Sequence, residues 1–88
     1  MDQQHNNRVI LFKQKLNLAL NPTLLEITDQ SAAHHGHAGA ASGGGHYTVT
    51  ISSKEFEGKP LLECHRLVYS ALDEWMGREI HALRINVV

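Results

Sequence analysis

Histidine is the residue type with the clearest chemical potential in this chain of 88 residues. Seven histidines are present, and four of them lie between positions 34 and 46: His34, His35, His37 and His46. A neutral imidazole nitrogen is a common protein ligand for zinc, copper and iron. The histidine content therefore indicates first a site that binds a metal ion.

Enzymatic chemistry has little support in the sequence. The single cysteine, Cys64, excludes an internal disulfide and cannot supply the four thiolates of an iron–sulfur cluster. It falls on the apolar face of a predicted helix, where a packed, unreactive thiol is the common state. Gly43-Gly44-Gly45 is not followed by the Lys-Ser or Lys-Thr pair of a phosphate-binding loop. We expect a protein that is not an enzyme.

Two helices are predicted from apolar residues that recur every three or four positions. The first covers residues 8–20, with Asn6 or Asn7 as its N-cap, and it ends before Asn21-Pro22 because proline disfavours helical geometry in the preceding residue. The second runs from Pro60 to about Met76 and ends at Gly77. Its predicted apolar stripe consists of Leu61, Cys64, Val68, Ala71, Leu72 and Trp75.

Three strands are predicted from β-branched and alternating segments. They cover residues 24–28, 46–52 and 80–88. In the last strand we expect Ile80, Ala82 and Arg84 on one face, and His81, Leu83, Ile85 and Val87 on the other. A turn at Gly58 separates the second strand from the second helix. Residues 1–88 are thus expected to form one domain.

A glycine- and histidine-rich connection, residues 31–45, separates the first two strands. Glycine raises the backbone entropy of this segment, and no large apolar residue is present to anchor it. Connections of this length are usually functional or disordered. We expect a flexible loop that carries His34, His35 and His37.

Four segments in the same order resemble the BolA family: Leu25-Glu26-Ile27-Thr28-Asp29-Gln30-Ser31, Phe56-Glu57-Gly58-Lys59, His65-Arg66-Leu67-Val68-Tyr69 and Ile80-His81-Ala82-Leu83. The resemblance covers nearly the whole chain. It implies an αββααβ domain of the α/β (α+β) class similar to a class II KH fold, with a three-stranded mixed sheet and helices on one face. It also implies a monothiol glutaredoxin partner that shares a 2Fe-2S cluster.

The resemblance further implies the ligands of that cluster. His81 matches the family's histidine on the last strand, and the second ligand lies in the loop nine residues before His46, at His37. The crowded loop leaves His34 and His35 as alternatives for this second position. His46 is expected to begin its strand rather than to bind metal. The partner's thiolate and glutathione would bind the opposite iron.

Two other functions stay open. Lys54, Lys59 and Arg66 are candidates for a nucleic-acid-binding surface, as in a DNA-binding transcriptional regulator. Phe56-Glu57-Gly58-Lys59 is, however, a poor equivalent of the GXXG loop of KH domains, since it has one glycine and an added carboxylate. The other possibility is a histidine-loop metal-binding protein that uses His34, His35 and His37.

Composition sets the remaining expectations. The formal net charge of -1 provides no overall field that would attract nucleic acid, and the apolar runs are too short to cross a bilayer. The start of the chain resembles neither a secretory signal nor a transit segment. We expect a cytoplasmic protein without membrane contact that is a monomer or weak homodimer when alone. The resemblance to the BolA family further implies a role in iron homeostasis.

Overall fold

The computed structural model describes residues 3–30 and 44–88. Its elements are helix α1 (Gln3–Leu20), strands β1 (Leu24–Asp29) and β2 (Gly45–Ser52), a 3-10 turn (Lys54–Phe56), helix α2 (Leu61–Ala71), a second 3-10 turn (Asp73–Trp75) and strand β3 (Ile80–Val87). The predicted αββααβ order is confirmed, although the helical element that precedes α2 is a single turn.

The three strands form one mixed sheet in the order β1-β2-β3. β1 pairs antiparallel with β2, and β2 pairs parallel with β3. A parallel pair requires a long crossover, which here consists of the chain through α2 and both 3-10 turns. This topology places the start of β3 beside the start of β2.

The hydrophobic core lies between the helices and one face of the sheet. β2 alternates strictly, with Tyr47, Val49 and Ile51 buried and the residues between them half-buried. The ring of Phe12 on α1 packs edge-on against Tyr47, with 5.1 Å between the ring centres. Val68 on α2 is fully buried against the same cluster. The opposite face of the sheet carries polar residues.

Helix α1 begins earlier and ends as predicted. Asn6 and Asn7 lie inside the helix, so their predicted capping role is wrong; neither proline nor glycine interrupts residues 3–7, and the helix continues through them. At the other end Asn21 adopts a φ of 44°, a left-handed conformation that asparagine tolerates. Its N–H donates to the Asn17 carbonyl at 3.0 Å, which closes the last turn.

Helix α2 is shorter than predicted. It ends at Ala71, where the backbone tightens into the 3-10 turn Asp73–Trp75, and Gly77 follows with a φ of 79°. Leu61 is 60% exposed and does not join the apolar stripe, because it occupies the first turn at the edge of the core. Pro60 is the N-cap rather than the first helical residue.

The predicted alternation of β3 is wrong at its start. Gly45 pairs with Ile80 but His46 pairs with Ala82, so His81 is an extra residue that resets the alternation. Ile80 and Ile85 are therefore both buried, although a regular strand would place them on opposite faces. The exposed residues Ala82, Arg84 and Asn86 follow on the other face.

Candidate functional site

His81 is exposed at the bulge where β3 begins. A bulge bends its strand and redirects the side chain of the additional residue, and bulges are frequent next to functional sites. Here the sheet presents the imidazole to solvent instead of packing it. The exposed position of His81 is thus a property of the backbone irregularity.

Glycine is required where the chain enters β2. A Cβ atom at Gly44 would lie 2.8 Å from the Cβ atom of His81 and 3.1 Å from the carbonyl oxygen of Arg78. Both distances are shorter than ordinary van der Waals contacts. Residue 44 therefore lies directly against His81, and a side chain there would displace one of the two strands.

His46 lies beside His81 across the parallel strand pair. The centres of the two imidazole rings are 5.2 Å apart, and the ring planes are tilted by 49°. We call these two residues the histidine pair. Sequence reasoning gave His46 a structural role because it did not anticipate that the start of β2 would lie beside the bulge of β3. The alternation of β2 already placed His46 opposite Tyr47, away from the core.

Both ends of the loop between β1 and β2 are held at the histidine pair. The N–H of Gln30 donates to the carbonyl of His46 at 2.7 Å, and Gly44 lies against His81. His34, His35 and His37 lie outside the described residues. The sequence separation still limits their reach: His37 is seven positions before Gly44, and seven residues of extended chain span at most about 25 Å. The chain therefore permits His37 to reach His81.

The turn before His81 is fixed by contacts from two other elements. The carbonyl of Glu79 accepts a hydrogen bond from the N–H of Gly45 at 2.8 Å. It also lies 3.5 Å from a guanidinium nitrogen of Arg8, a largely buried residue of α1. Because α1, β2 and β3 meet at this one carbonyl, the position of His81 depends on tertiary structure.

Cys64 is buried in the core, whereas His81 is exposed at the surface. It is 3% exposed, and its thiol lies 3.8 Å from the carbonyl oxygens of Phe56 and Lys59. The expectation of a packed thiol is confirmed. Within residues 3–30 and 44–88, no group of three or more His, Cys, Asp or Glu side chains is arranged to hold a metal ion.

The three cations proposed for nucleic-acid binding are exposed but partly engaged. Lys59 donates to the carbonyl of Glu55 at 2.7 Å, and Arg66 pairs with the carboxylate of Glu63 at 3.0 Å. Lys54 lies on the adjoining 3-10 turn. Gly58, in the turn that would correspond to a GXXG loop, has a φ of 74° and open space around it. The carboxylate of Glu63 therefore offsets the charge of Arg66, while Lys59 is held by a backbone carbonyl.

His65 has a different environment from the histidine pair. It is half-buried on α2 and lines a shallow cleft at the far end of β3. We call this the terminal cleft; its lining residues are Thr50, Leu61, His65, Ile85, Asn86, Val87 and Val88. In the described part of the chain, no helix has the length and apolar character needed to cross a membrane.

The described residues thus form an α+β domain with helices on one face of a β1-β2-β3 mixed sheet and an exposed histidine at the start of its last strand. The family model described as "BolA-like protein" matches residues 16–88. The chain belongs to this family.

Solved structures and curated relatives agree with this assignment. The BolA domain of SufE1 from Arabidopsis thaliana matches with a TM-score of 0.79 and 36% identity, over 91% of this chain and 88% of that one. BolA1 from the same plant gives a TM-score of 0.76 and 38% identity, covering 91% and 88% of the two chains.

Two curated relatives carry different descriptions. BolA-like protein 1 of Bos taurus is 41% identical over 84% of this chain and 53% of its own length. The DNA-binding transcriptional regulator BolA of Escherichia coli is 36% identical over 84% of this chain and 68% of its own length. The chain thus spans about half to two thirds of these relatives.

Proposed function

We propose that this protein is a non-enzymatic adaptor that binds a monothiol glutaredoxin and co-ligates a shared 2Fe-2S cluster. His81 supplies one nitrogen ligand, and a loop histidine supplies the other, with His37 as first choice and His34 and His35 as alternatives. The partner's thiolate and glutathione bind the opposite iron. The partner and the cluster come from the family resemblance, and the assignment of His81 also rests on its geometry.

The observation that carries the proposal is the exposure of His81 at the point where both loop ends are fixed. An imidazole that ligates a cluster shared between two proteins must be reachable by the second protein, and His81 is exposed on the surface. The backbone contacts at Gln30 and Gly44 keep the loop anchored there. The loop that carries the second ligand therefore begins and ends beside the first ligand.

The residues present suit a cluster that is completed by another chain. A bound 2Fe-2S cluster supplies one-electron redox chemistry and an iron that accepts two neutral nitrogen donors. Histidines offer such donors here, and the buried thiol of Cys64 does not compete with them. This chain's own contribution is to place an imidazole at the surface, on a backbone position fixed by the fold, and to leave its surroundings open. Such an adaptor serves in iron–sulfur cluster trafficking or iron regulation.

The test is to mix the protein with a cluster-loaded monothiol glutaredoxin and to record visible absorption and circular dichroism. We expect the mixed complex to give a histidine-ligated spectrum that His81→Ala converts to the glutaredoxin-only spectrum. His37→Ala should weaken the signal, and His65→Ala is the matched control that should preserve it. An unchanged spectrum in His81→Ala removes this residue from the site.

DNA binding is the competing hypothesis, since the Escherichia coli relative is described as a DNA-binding transcriptional regulator. The exposure of Lys54, Lys59 and Arg66 favours it, whereas the contacts of Lys59 and Arg66 with neighbouring oxygens oppose it. Affinity for duplex DNA that falls steeply with added salt would support this hypothesis.

A further inference from the structure

We infer that His46 and His81 together bind a single divalent transition-metal ion of the zinc class in the protein without its partner. This site uses only residues of β2 and β3. It requires neither a loop histidine nor glutaredoxin, and it therefore goes beyond the shared cluster of the proposed function.

The separation of the two rings fits coordination of one ion. Zinc binds imidazole nitrogen at about 2.0–2.1 Å and prefers a tetrahedral arrangement, which places the centres of two imidazole rings on one ion about 5 Å apart. The ring centres of His46 and His81 are 5.2 Å apart. The observed tilt of 49° also keeps the rings from stacking face to face.

The backbone holds the two residues in this arrangement. His46 pairs in register with Ala82, the neighbour of His81, and Gly45 is hydrogen-bonded to the carbonyl of Glu79 at 2.8 Å. Two ligands that are already close when the metal is absent lose little conformational entropy when it binds. Two protein ligands leave two tetrahedral positions for water, one more than in catalytic zinc sites with three protein ligands.

Access to the ion depends on His81. The Nε2 atom of His46 is shielded from solvent, whereas His81 is exposed. Because His81 is the exposed neighbour of this ring, at 5.2 Å between ring centres, we expect its side chain to move when an ion is admitted at this nitrogen. An exposed side chain changes rotamer without disrupting the core, so the site can open while the sheet stays intact.

The inference has a regulatory consequence that rests on the proposed function. An ion held by the histidine pair engages His81, and His81 is the residue proposed to ligate the shared cluster. Zinc and the glutaredoxin-bound cluster would then compete for the same imidazole. Such competition would make cluster sharing sensitive to the supply of free zinc.

The experiment uses the full chain carrying His34→Ala, His35→Ala and His37→Ala, which removes the loop histidines as ligands. Zn²⁺ is titrated by isothermal calorimetry, and the imidazole signals are followed by NMR. We expect one equivalent of zinc to shift the signals of His46 and His81. Adding His81→Ala or His46→Gln to this background should each weaken binding by about tenfold or more, whereas adding His65→Ala should leave it unchanged.

Several results would overturn the inference: absence of zinc binding in the loop-substituted chain, binding that survives both His81→Ala and His46→Gln, or shifts confined to other histidines. Circular dichroism of each variant verifies that the sheet is intact. The proposed function fails independently if the unsubstituted protein gives no mixed spectrum with cluster-loaded glutaredoxin in zinc-free buffer. The two failures are therefore distinguishable.

Discussion

The two ends of the β2–β3 pair differ in both backbone and chemistry. At the end that carries the histidine pair, the β2–β3 register shifts and Gly44 lies against His81. The loop between β1 and β2 also begins and ends there. At the terminal cleft the ladder is regular, and the N–H of Val88 continues it by donating to the carbonyl of Ile51 at 3.0 Å. The comparison teaches that regular pairing here builds the core, while the irregularity exposes a residue with ligand chemistry.

The histidines at the two ends of the β2–β3 pair also differ in their surroundings. His65 is half-buried on a helix beside apolar residues of the terminal cleft. His81 has a second imidazole 5.2 Å away and stands on a bulge. Residue type is identical, so the difference in expected function comes from the backbone around each ring.

Shortening a buried side chain at the terminal cleft should give the largest loss of stability. Ile85 is buried at the terminal cleft, and Ile85→Ala should lower the free energy of unfolding by about 2–4 kcal/mol because it leaves a cavity. Urea denaturation measures this loss. At a temperature where the variant stays folded, we expect its cluster-sharing spectrum to remain. Loss of that spectrum from a folded variant would show that the two ends are coupled.

A side chain added at residue 44, beside the histidine pair, should have a moderate effect on stability and a strong effect on cluster sharing. Gly44→Ala places a methyl group against the backbone and Cβ atom of His81, and overpacking of this kind costs about 1–3 kcal/mol. The mixed glutaredoxin spectrum should weaken even where the protein is folded.

The matched control for Gly44→Ala is Gly58→Ala. Gly58 has open space around it but a φ of 74°, so alanine there introduces backbone strain of about 1 kcal/mol without steric contact. Its spectrum with glutaredoxin should stay normal. Equal spectra for the two alanine variants would mean that close contact at Gly44 does not matter to His81.

Removal of the contact between Arg8 on α1 and the carbonyl of Glu79 should have a smaller effect on stability. Arg8→Met keeps most of the apolar length of the side chain but removes its interaction with the carbonyl of Glu79. We expect a loss of about 1 kcal/mol in thermal or urea denaturation, together with broadened NMR signals from His81. Lys13→Met, at an exposed position of the same helix, should change neither measurement.

Reversal of the exposed cations should affect stability least. Lys59→Glu combined with Arg66→Glu should change the free energy of unfolding by less than about 0.5 kcal/mol, since both residues are on the surface. Cluster sharing should persist. Gel-shift or anisotropy measurements at low salt should detect no DNA binding by the unsubstituted protein or by the double variant. DNA binding by the unsubstituted protein that the double variant loses would favour the nucleic-acid hypothesis.

Much of the fold could be predicted because its signals are local. Asn21-Pro22 and Gly77 mark the ends of helical segments through backbone preferences that act at those residues. The alternation of Tyr47, Val49 and Ile51 likewise identifies a strand with one buried face. The early start of α1, the position of Pro60 before α2 and the tightened end of α2 depart from these rules, at helix ends where propensities are weak.

The arrangement of the site could be predicted less well because it is non-local. A bulge has no distinct local signature, and strict alternation therefore placed Ile80 and Ile85 on different faces. The neighbour of His81 depends on which strand pairs with β3 and in what register, and periodicity contains neither. His81 itself was identified through family resemblance, whereas the proximity of His46 emerged from the register of the parallel pair.

The parallel pairing of β2 and β3 also has a consequence for biosynthesis. His46 and His81 are 35 positions apart in the chain, and β3 can dock only after the intervening crossover has formed. A nascent chain still lacking its final strand would have no such pair of imidazoles. The inferred zinc site would therefore form only once β3 has paired with β2, and a chain that lacks β3 would not bind an ion there.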